Sequence, residues 1–153
     1  LIVFRKARPK DFETLKNILE TVGLGTGGID EHLDNFMVAE EGDTILATGG
    51  LEIYGDAAII RSVAVLPEFQ HQGIGDGLVR ALINYGDRRG VSRIYLFTRG
   101  AAGFFEKFGF KAVELKDLDE KCKKSLQFNI CSCSAVLMRL EVKNFFNNTG
   151  CRS

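Results

Sequence analysis

Apolar and polar residues alternate from Ile2 to Ala7, which predicts a strand. Pro9-Lys10-Asp11 then reads as a helix start, and Phe12, Leu15, Ile18, Leu19 and Val22 fall on one helical face. Four glycines between Gly23 and Gly28 break that helix. Asp30 to Asn35 predicts a short second helix with Asp30 as its cap. Phe36 to Glu40, Thr44 to Tyr54 and Ala57 to Leu66 read as three antiparallel strands, turned at Glu41-Gly42-Asp43 and Gly55-Asp56.

Ile74, Leu78, Leu82 and Tyr85 mark the apolar stripe of a long helix, with Gly90 as its end. Arg93 to Thr98 is a short apolar strand behind that helix. A strand-helix-strand order makes it parallel to the strand before the helix and central in the sheet. Ala101 to Phe108 predicts a helix closed by Gly109. Lys111 to Leu115 predicts a strand, Leu118 to Leu126 a charged and weakly helical stretch, and Ser134 to Val142 a last strand. Residues 143–153 are mostly polar and read as a loose tail. The expectation is therefore one α/β (α+β) domain over residues 2–142, with a mixed, mostly antiparallel central sheet flanked by helices.

Composition removes several function classes. Apolar residues make up 45% of the 153 and charged residues 26%, as in an ordinary globule. Net charge is zero and Lys/Arg do not cluster, which argues against nucleic acid or an anionic membrane as main partner. No apolar run approaches membrane length, and L-I-V-F-R-K is too short for a signal peptide. Leu1 is not an initiator Met, so residues before it are expected. The cysteines, Cys122, Cys131, Cys133 and Cys151, include no C-x-x-C pair, so no metal site is expected. Cys131 and Cys133 would share one side of an extended segment, and free thiols in a reducing cytoplasm are the expectation.

The chemistry concentrates between Arg61 and Arg89. A strand ending in Val63-Ala64-Val65-Leu66 is stopped by Pro67, and Gln70-His71-Gln72-Gly73-Ile74-Gly75 leads into the long helix. Unpaired N–H groups and the helix dipole at such a turn suit a phosphate or pyrophosphate. A Walker A loop is excluded, since no Lys or Ser/Thr follows Gly75. A dinucleotide fingerprint is excluded too, because Leu78 stands where its third glycine belongs and Gly77 is out of step. Arg61 is unusual within A-A-I-I-R-S-V-A-V and needs a partner. It either pairs with Glu52 on the preceding strand or offers its fork to a carboxylate or phosphonate of a substrate.

The pattern Gln-x-x-Gly-x-Gly, met by Gln70, Gly73 and Gly75 after V-A-V-x-P, resembles the acetyl-CoA loop of the GNAT acetyltransferases. The predicted element order matches the GNAT layout from Ile2 to Val142. The resemblance implies a sheet splayed at the acetyl-CoA site. Backbone N–H groups of Val63, Ala64 and Val65 would hold the thioester. Those of Gln70 or His71 through Gln72, Gly73, Ile74, Gly75 and Asp76 would hold the pyrophosphate. Thr98, Phe104 and Phe105 would line the cofactor. The family's general-acid Tyr is replaced by Phe105, the Asn usual at the start of that helix is missing at Thr98-Arg99-Gly100, and the Glu common around Ile59 to Arg61 is absent. A thiol of pKa about 8.5 still leaves tolerably without a strong acid.

The stretches G-G-L-E-I-Y-G-D-A-A-I-I-R-S-V-A-V and I-Y-L-F-T-x-x-A-x-x-F-F-E-K-F-G-F are similar to a GNAT branch near bacterial N-acetylglutamate synthase. That branch includes small acetyltransferases found with arsenic-resistance genes, and Ser125, Phe128, Cys131, Ser134 and Ala135 continue the likeness, with Ser132 where Pro is usual. The implied reaction is acetyl transfer from acetyl-CoA to the amine of a small glutamate-like molecule, in the cytoplasm. Glu52, Arg61 and Val63 are its candidate catalytic residues. His71 reads as a phosphate contact. His32 is open between an acceptor-pocket lining and a plain surface residue. A protein or polyamine acetyltransferase, or a CoA-binding sensor of weak activity, stays as the alternative, and a homodimer is left open.

Overall fold

The computed structural model describes residues 1–131 and 134–148. Among them, seven strands form one mixed, mostly antiparallel sheet flanked by helices: β1 Ile2–Lys6, β2 Phe36–Glu41, β3 Thr44–Tyr54, β4 Ala57–Val65, β5 Arg93–Thr98, β6 Lys111–Val113 and β7 Val136–Glu141. Their order is β1-β2-β3-β4-β5-β7-β6. The helices are α1 Phe12–Thr21, α2 Ile29–His32, α3 Ile74–Arg88, α4 Ala102–Glu106, α5 Leu126–Cys131 and α6 Val142–Asn148. The chain divides into two compact units, Leu1–Glu52 with Ile60–Asn84, and Ile53–Ile59 with Tyr85–Ser153.

In the first unit, β1 runs antiparallel to β2, and β2 to β3 with a bulge at Ala39/Glu40. The periodic face of α1 is buried through Leu15, Ile18 and Leu19, packed with Ile29, Phe36, Val38, Ile45 and Ala64. Two glycines make room for rings. A Cβ on Gly50 would sit 2.3 Å from the Phe36 ring, and one on Gly77 would sit 2.5 Å from that of Phe4. Gly77, out of step for a dinucleotide turn, is thus the place where α3 meets Phe4. Arg5 ties three segments together: it donates to Asp11 at 2.9 and 3.3 Å and to Glu40 at 3.0 and 3.1 Å.

In the second unit, β4 begins parallel to β5, with Ala57, Ala58 and Ile59 opposite Arg93, Ile94 and Tyr95. β5 pairs along its whole length with β7, antiparallel, and β6 pairs with β7. Tyr95, Ala57, Ile59, Leu118, Cys122 and Leu137 form its core. The Tyr95 hydroxyl is satisfied by donating to the Asp117 carbonyl at 3.0 Å.

Several boundaries differ from the sequence reading. The cap of α2 is Gly28, in a left-handed conformation at φ 80°, and Asp30 lies inside the helix. α4 ends at Glu106 and β6 at Val113; Leu115 to Asp117 forms a 3-10 turn. The last strand starts at Val136, and Val142 belongs to α6. The expected loose tail is helical to Asn148, because Val142 and Phe145 lie three apart and both are buried. Cys131 closes α5 and is not in an extended segment, while Cys133 and Cys151 fall outside the described residues. Cys122 is buried and forms no disulfide among the described residues.

Candidate active site

The candidate residues from Glu52 back to His32 and from Arg61 on to Asp76 belong to the first unit. β3 and β4 are sheet neighbours joined by two residues, which only antiparallel strands allow. That hairpin sets Glu52 beside Arg61. Arg61 Nη1 donates to Glu52 Oε2 at 2.9 Å, and each side chain is 1% exposed. Of the two expectations for Arg61, the ion pair is present. Its Nε is also spent within the protein, donating to Ser62 Oγ at 2.9 Å.

Ser62 is a non-glycine residue inside a strand with φ 59°. Such a conformation is uncommon, and one in a sheet re-aims the strand beyond it. Among the described residues the parallel register with β5 stops just before, at Ile59. Leu66 N–H donates to the Leu46 carbonyl on β3 at 2.9 Å. Alternation along the strand then turns the N–H groups of Val65 and Val63 away from β3 and that of Ala64 towards it. Val63 and Val65 are accordingly the donors that this strand can offer to a carbonyl oxygen.

The loop after Pro67 is held by three bonds, one of them the Gln70 N–H donating to the Pro67 carbonyl at 3.4 Å. Phe69 N–H donates to the Leu66 carbonyl at 2.9 Å, and Gln70 Nε2 to the Val65 carbonyl at 3.0 Å. His71 and Gly73 both take positive φ, 66° and 81°. Gln70, His71, Gln72 and Gly73 are exposed, and Ile74 is buried beneath them. The Gly73 carbonyl accepts the Gly77 N–H at 3.1 Å, which opens the helical ladder. The N–H groups of Gly73, Ile74, Gly75 and Asp76 therefore lack intrahelical acceptors at the positive end of a 15-residue helix. The Asp76 carboxylate is drawn back along the helix by Arg80 Nε at 3.2 Å.

His32 is the residue that sequence reasoning left undecided. It ends α2, and its Nε2 stands 3.9 Å from Glu52 Oε1. At 18% exposure against 1% for Glu52, its ring reaches solvent while the carboxylate does not. Gly50 and Glu52 are two apart on β3 and so share the face that carries Phe36. Ile29 is buried with Phe36 in the same cluster and brings α2 to that face. Nothing in the local pattern around His32 shows this, since a four-residue helix is placed by tertiary packing alone.

In the second unit, Thr98 Oγ1 accepts the Ala101 N–H at 3.0 Å and that of Gly100 at 3.5 Å, shaping the turn into α4. Phe105 is 7% exposed and meets Phe104 and Phe110 edge-on, with centroids 5.0 and 5.8 Å apart. Phe104 is half-buried.

The family description "Acetyltransferase (GNAT) domain" matches residues 32–112. An N-acetyltransferase of Chlorobaculum tepidum is 31% identical over 126 residues, 76% of this chain and 80% of its own length. An amino-acid acetyltransferase of Pasteurella multocida is 24% identical over 72% of this chain but only 25% of its own length. The structure of N-acetylglutamate synthase from Neisseria gonorrhoeae, complexed with coenzyme A and N-acetyl-glutamate, shares the fold. Its TM-score is 0.80 at 20% identity, covering 93% of this chain and 35% of that one. This chain thus spans a quarter to a third of these two longer relatives.

Proposed function

Since the chain belongs to the GNAT acetyltransferases and is an N-acetyltransferase of that class, we propose that it carries acetyl from acetyl-CoA to the amine of a small glutamate-like amino acid. The domain would be residues 2–142, working in the cytoplasm. The observation that carries the cofactor half is the row of backbone N–H groups from Gly73 to Asp76 in the first turn of α3, beneath an exposed loop. These groups, with Gln70, His71 and Gln72, take the pyrophosphate. The N–H groups of Val63 and Val65 polarise the thioester carbonyl, where negative charge develops as the amine attacks.

The acceptor half rests on the likeness to amino-acid acetyltransferases; the only acidic cluster the sequence offers a polyamine is Asp30, Glu31 and Asp34. The α-amine of a free amino acid is an ammonium at neutral pH, so a base must take a proton from it before it attacks. Glu52 and Arg61, the candidate catalytic side chains, are a closed pair buried on the acceptor side. Thiol release from acetyl-CoA tests the reading against a panel of L-glutamate, other acidic amino acids, spermidine and a lysine peptide. Turnover with the acidic amino acids supports it. CoA binding with no turnover across the panel contradicts it in favour of a sensor.

A further inference from the structure

Granted the CoA site proposed for the first turn of α3, we infer that Phe4 is a positioning residue for it, setting from the edge of the sheet where that turn lies. Phe4 is on β1, the outermost strand. Gly77 is the fourth residue of α3. A Cβ on Gly77 would stand 2.5 Å from Phe4 Cζ, 2.9 Å from Cε2 and 3.3 Å from Cε1. The tip of the ring therefore rests on the helix backbone, and only glycine leaves room for it. The Gly77 N–H donates to the Gly73 carbonyl at 3.1 Å. The backbone that the ring touches is thus one hydrogen bond away from the loop.

A second glycine places the rest of the helix. A Cβ on Gly49 of β3 would stand 3.1 Å from Leu82 Cδ1, and 3.3 Å from both Leu78 Cδ2 and Val63 Cγ2. Phe4 lies opposite Ala39, and Ala39 opposite Ala47. Opposed residues share a sheet face, as do Ala47 and Gly49 two apart on β3. The floor under α3 is therefore low at Ala39, Ala47 and Gly49 and rises at Phe4. Leu78 and Leu82 settle into the low part, and the Phe4 ring sets the height of the N-terminal end. Arg5 keeps the strand under the ring from sliding, with bonds to Asp11 at 2.9 Å and to Glu40 at 3.0 Å.

The N–H groups of a first helical turn point the same way, so lifting or tilting that turn moves all of them off a bound pyrophosphate together. Helix preference by itself makes Gly77→Ala favourable. Packing against the ring makes it unfavourable, since the new methyl and the ring tip cannot share the space. Leucine at position 4 lacks just the Cε and Cζ atoms that meet Gly77.

The test measures CoA affinity by calorimetry for wild type, Phe4→Leu, Gly77→Ala and the double variant. Each single change should weaken CoA by about fivefold or more, one by opening a gap under the turn and the other by pushing the turn away. The double variant, with a methyl in the space the ring tip leaves, should return to within about twofold of wild type. Pantetheine, which has no pyrophosphate, should bind all four alike. A ring that serves stability alone would shift the melting temperature and leave the CoA affinity of the folded protein where it was.

Unchanged CoA affinity in either folded single variant overturns this inference and leaves the CoA site standing. So does a double variant no tighter than the singles, or an equal loss for pantetheine. Should Gly77→Ala fail to fold, Phe4→Leu and the double variant decide by the same criteria. A wild type that does not bind CoA overturns the cofactor site itself, and this inference with it.

Discussion

Arg61 and Glu52 face each other across β3 and β4 at 2.9 Å, in a place where each side chain is 1% exposed. Neither charge is tolerable there alone. Arg61→Met should therefore lower stability by about 3–5 kcal/mol, because it takes the guanidinium away from a buried carboxylate. Arg61→Met combined with Glu52→Gln should recover part of that loss, as measured by urea unfolding. An undiminished melting transition in Arg61→Met would mean that the pair is not desolvated as described. Arg61→Lys separates structure from acceptor binding: an acceptor KM raised without loss of stability would show the guanidinium reaching the ligand, against the closed pair seen here.

Gly75 lies in the first turn of α3, among the N–H groups assigned to the pyrophosphate. Gly75→Glu adds bulk and a negative charge at an anion site. Acetyl-CoA affinity should fall while the fold is kept, and the loss should appear in KM more than in kcat, since the pyrophosphate is held alike in ground and transition states. Unchanged CoA affinity by calorimetry would remove the loop from the cofactor site.

The sequence resemblance sets Phe105 where the family's general acid is expected, yet it is a core ring set edge-on to Phe104 and Phe110. Phe105→Leu should lower stability by roughly 1–3 kcal/mol through lost packing. It should leave kcat within about twofold in the folded protein, because the ring has no proton to give. Loss of turnover at full folding would give the ring a role beyond packing.

Arg5 supports a pH dependence. Its hydrogen bonds hold the carboxyls of Asp11 and Glu40 below their ordinary values. A group with a depressed folded pKa binds protons more readily when unfolded. Its stabilisation is complete above the unfolded value, about 3.9 for Asp, and is lost as pH falls through the folded one. Asp11→Asn should therefore destabilise at neutral pH, by about 1–3 kcal/mol for a buried charged contact. Mutant and wild type should converge below about pH 4. A constant gap in melting temperature between pH 7 and pH 3 would show that the charge is not responsible.

The parts of the site that are local in sequence could be read from it. The strand, the proline, the loop and α3 follow one another within 30 residues, so their spacing carries the geometry. The parallel placement of β5 followed from the helix before it, and the burial of Arg61 followed from its apolar neighbours. What escaped depends on contacts between distant residues. Nothing near Gly50 or Gly77 in the sequence shows that the rings of Phe36 and Phe4 fill the space they leave. Phe145 reads as part of a polar tail until its burial makes α6. His32 stays open between a pocket lining and a surface residue until Ile29 packs with Phe36 and brings it near Glu52.

The central claim is the acceptor class. One vessel holding acetyl-CoA, L-glutamate, spermidine and a lysine peptide at equal concentration, with products read by mass spectrometry, tests it directly. We expect N-acetylated glutamate-class product in excess over the other two by at least about tenfold, roughly 1.4 kcal/mol of transition-state preference. Acetylated peptide or polyamine as the main product would contradict the account.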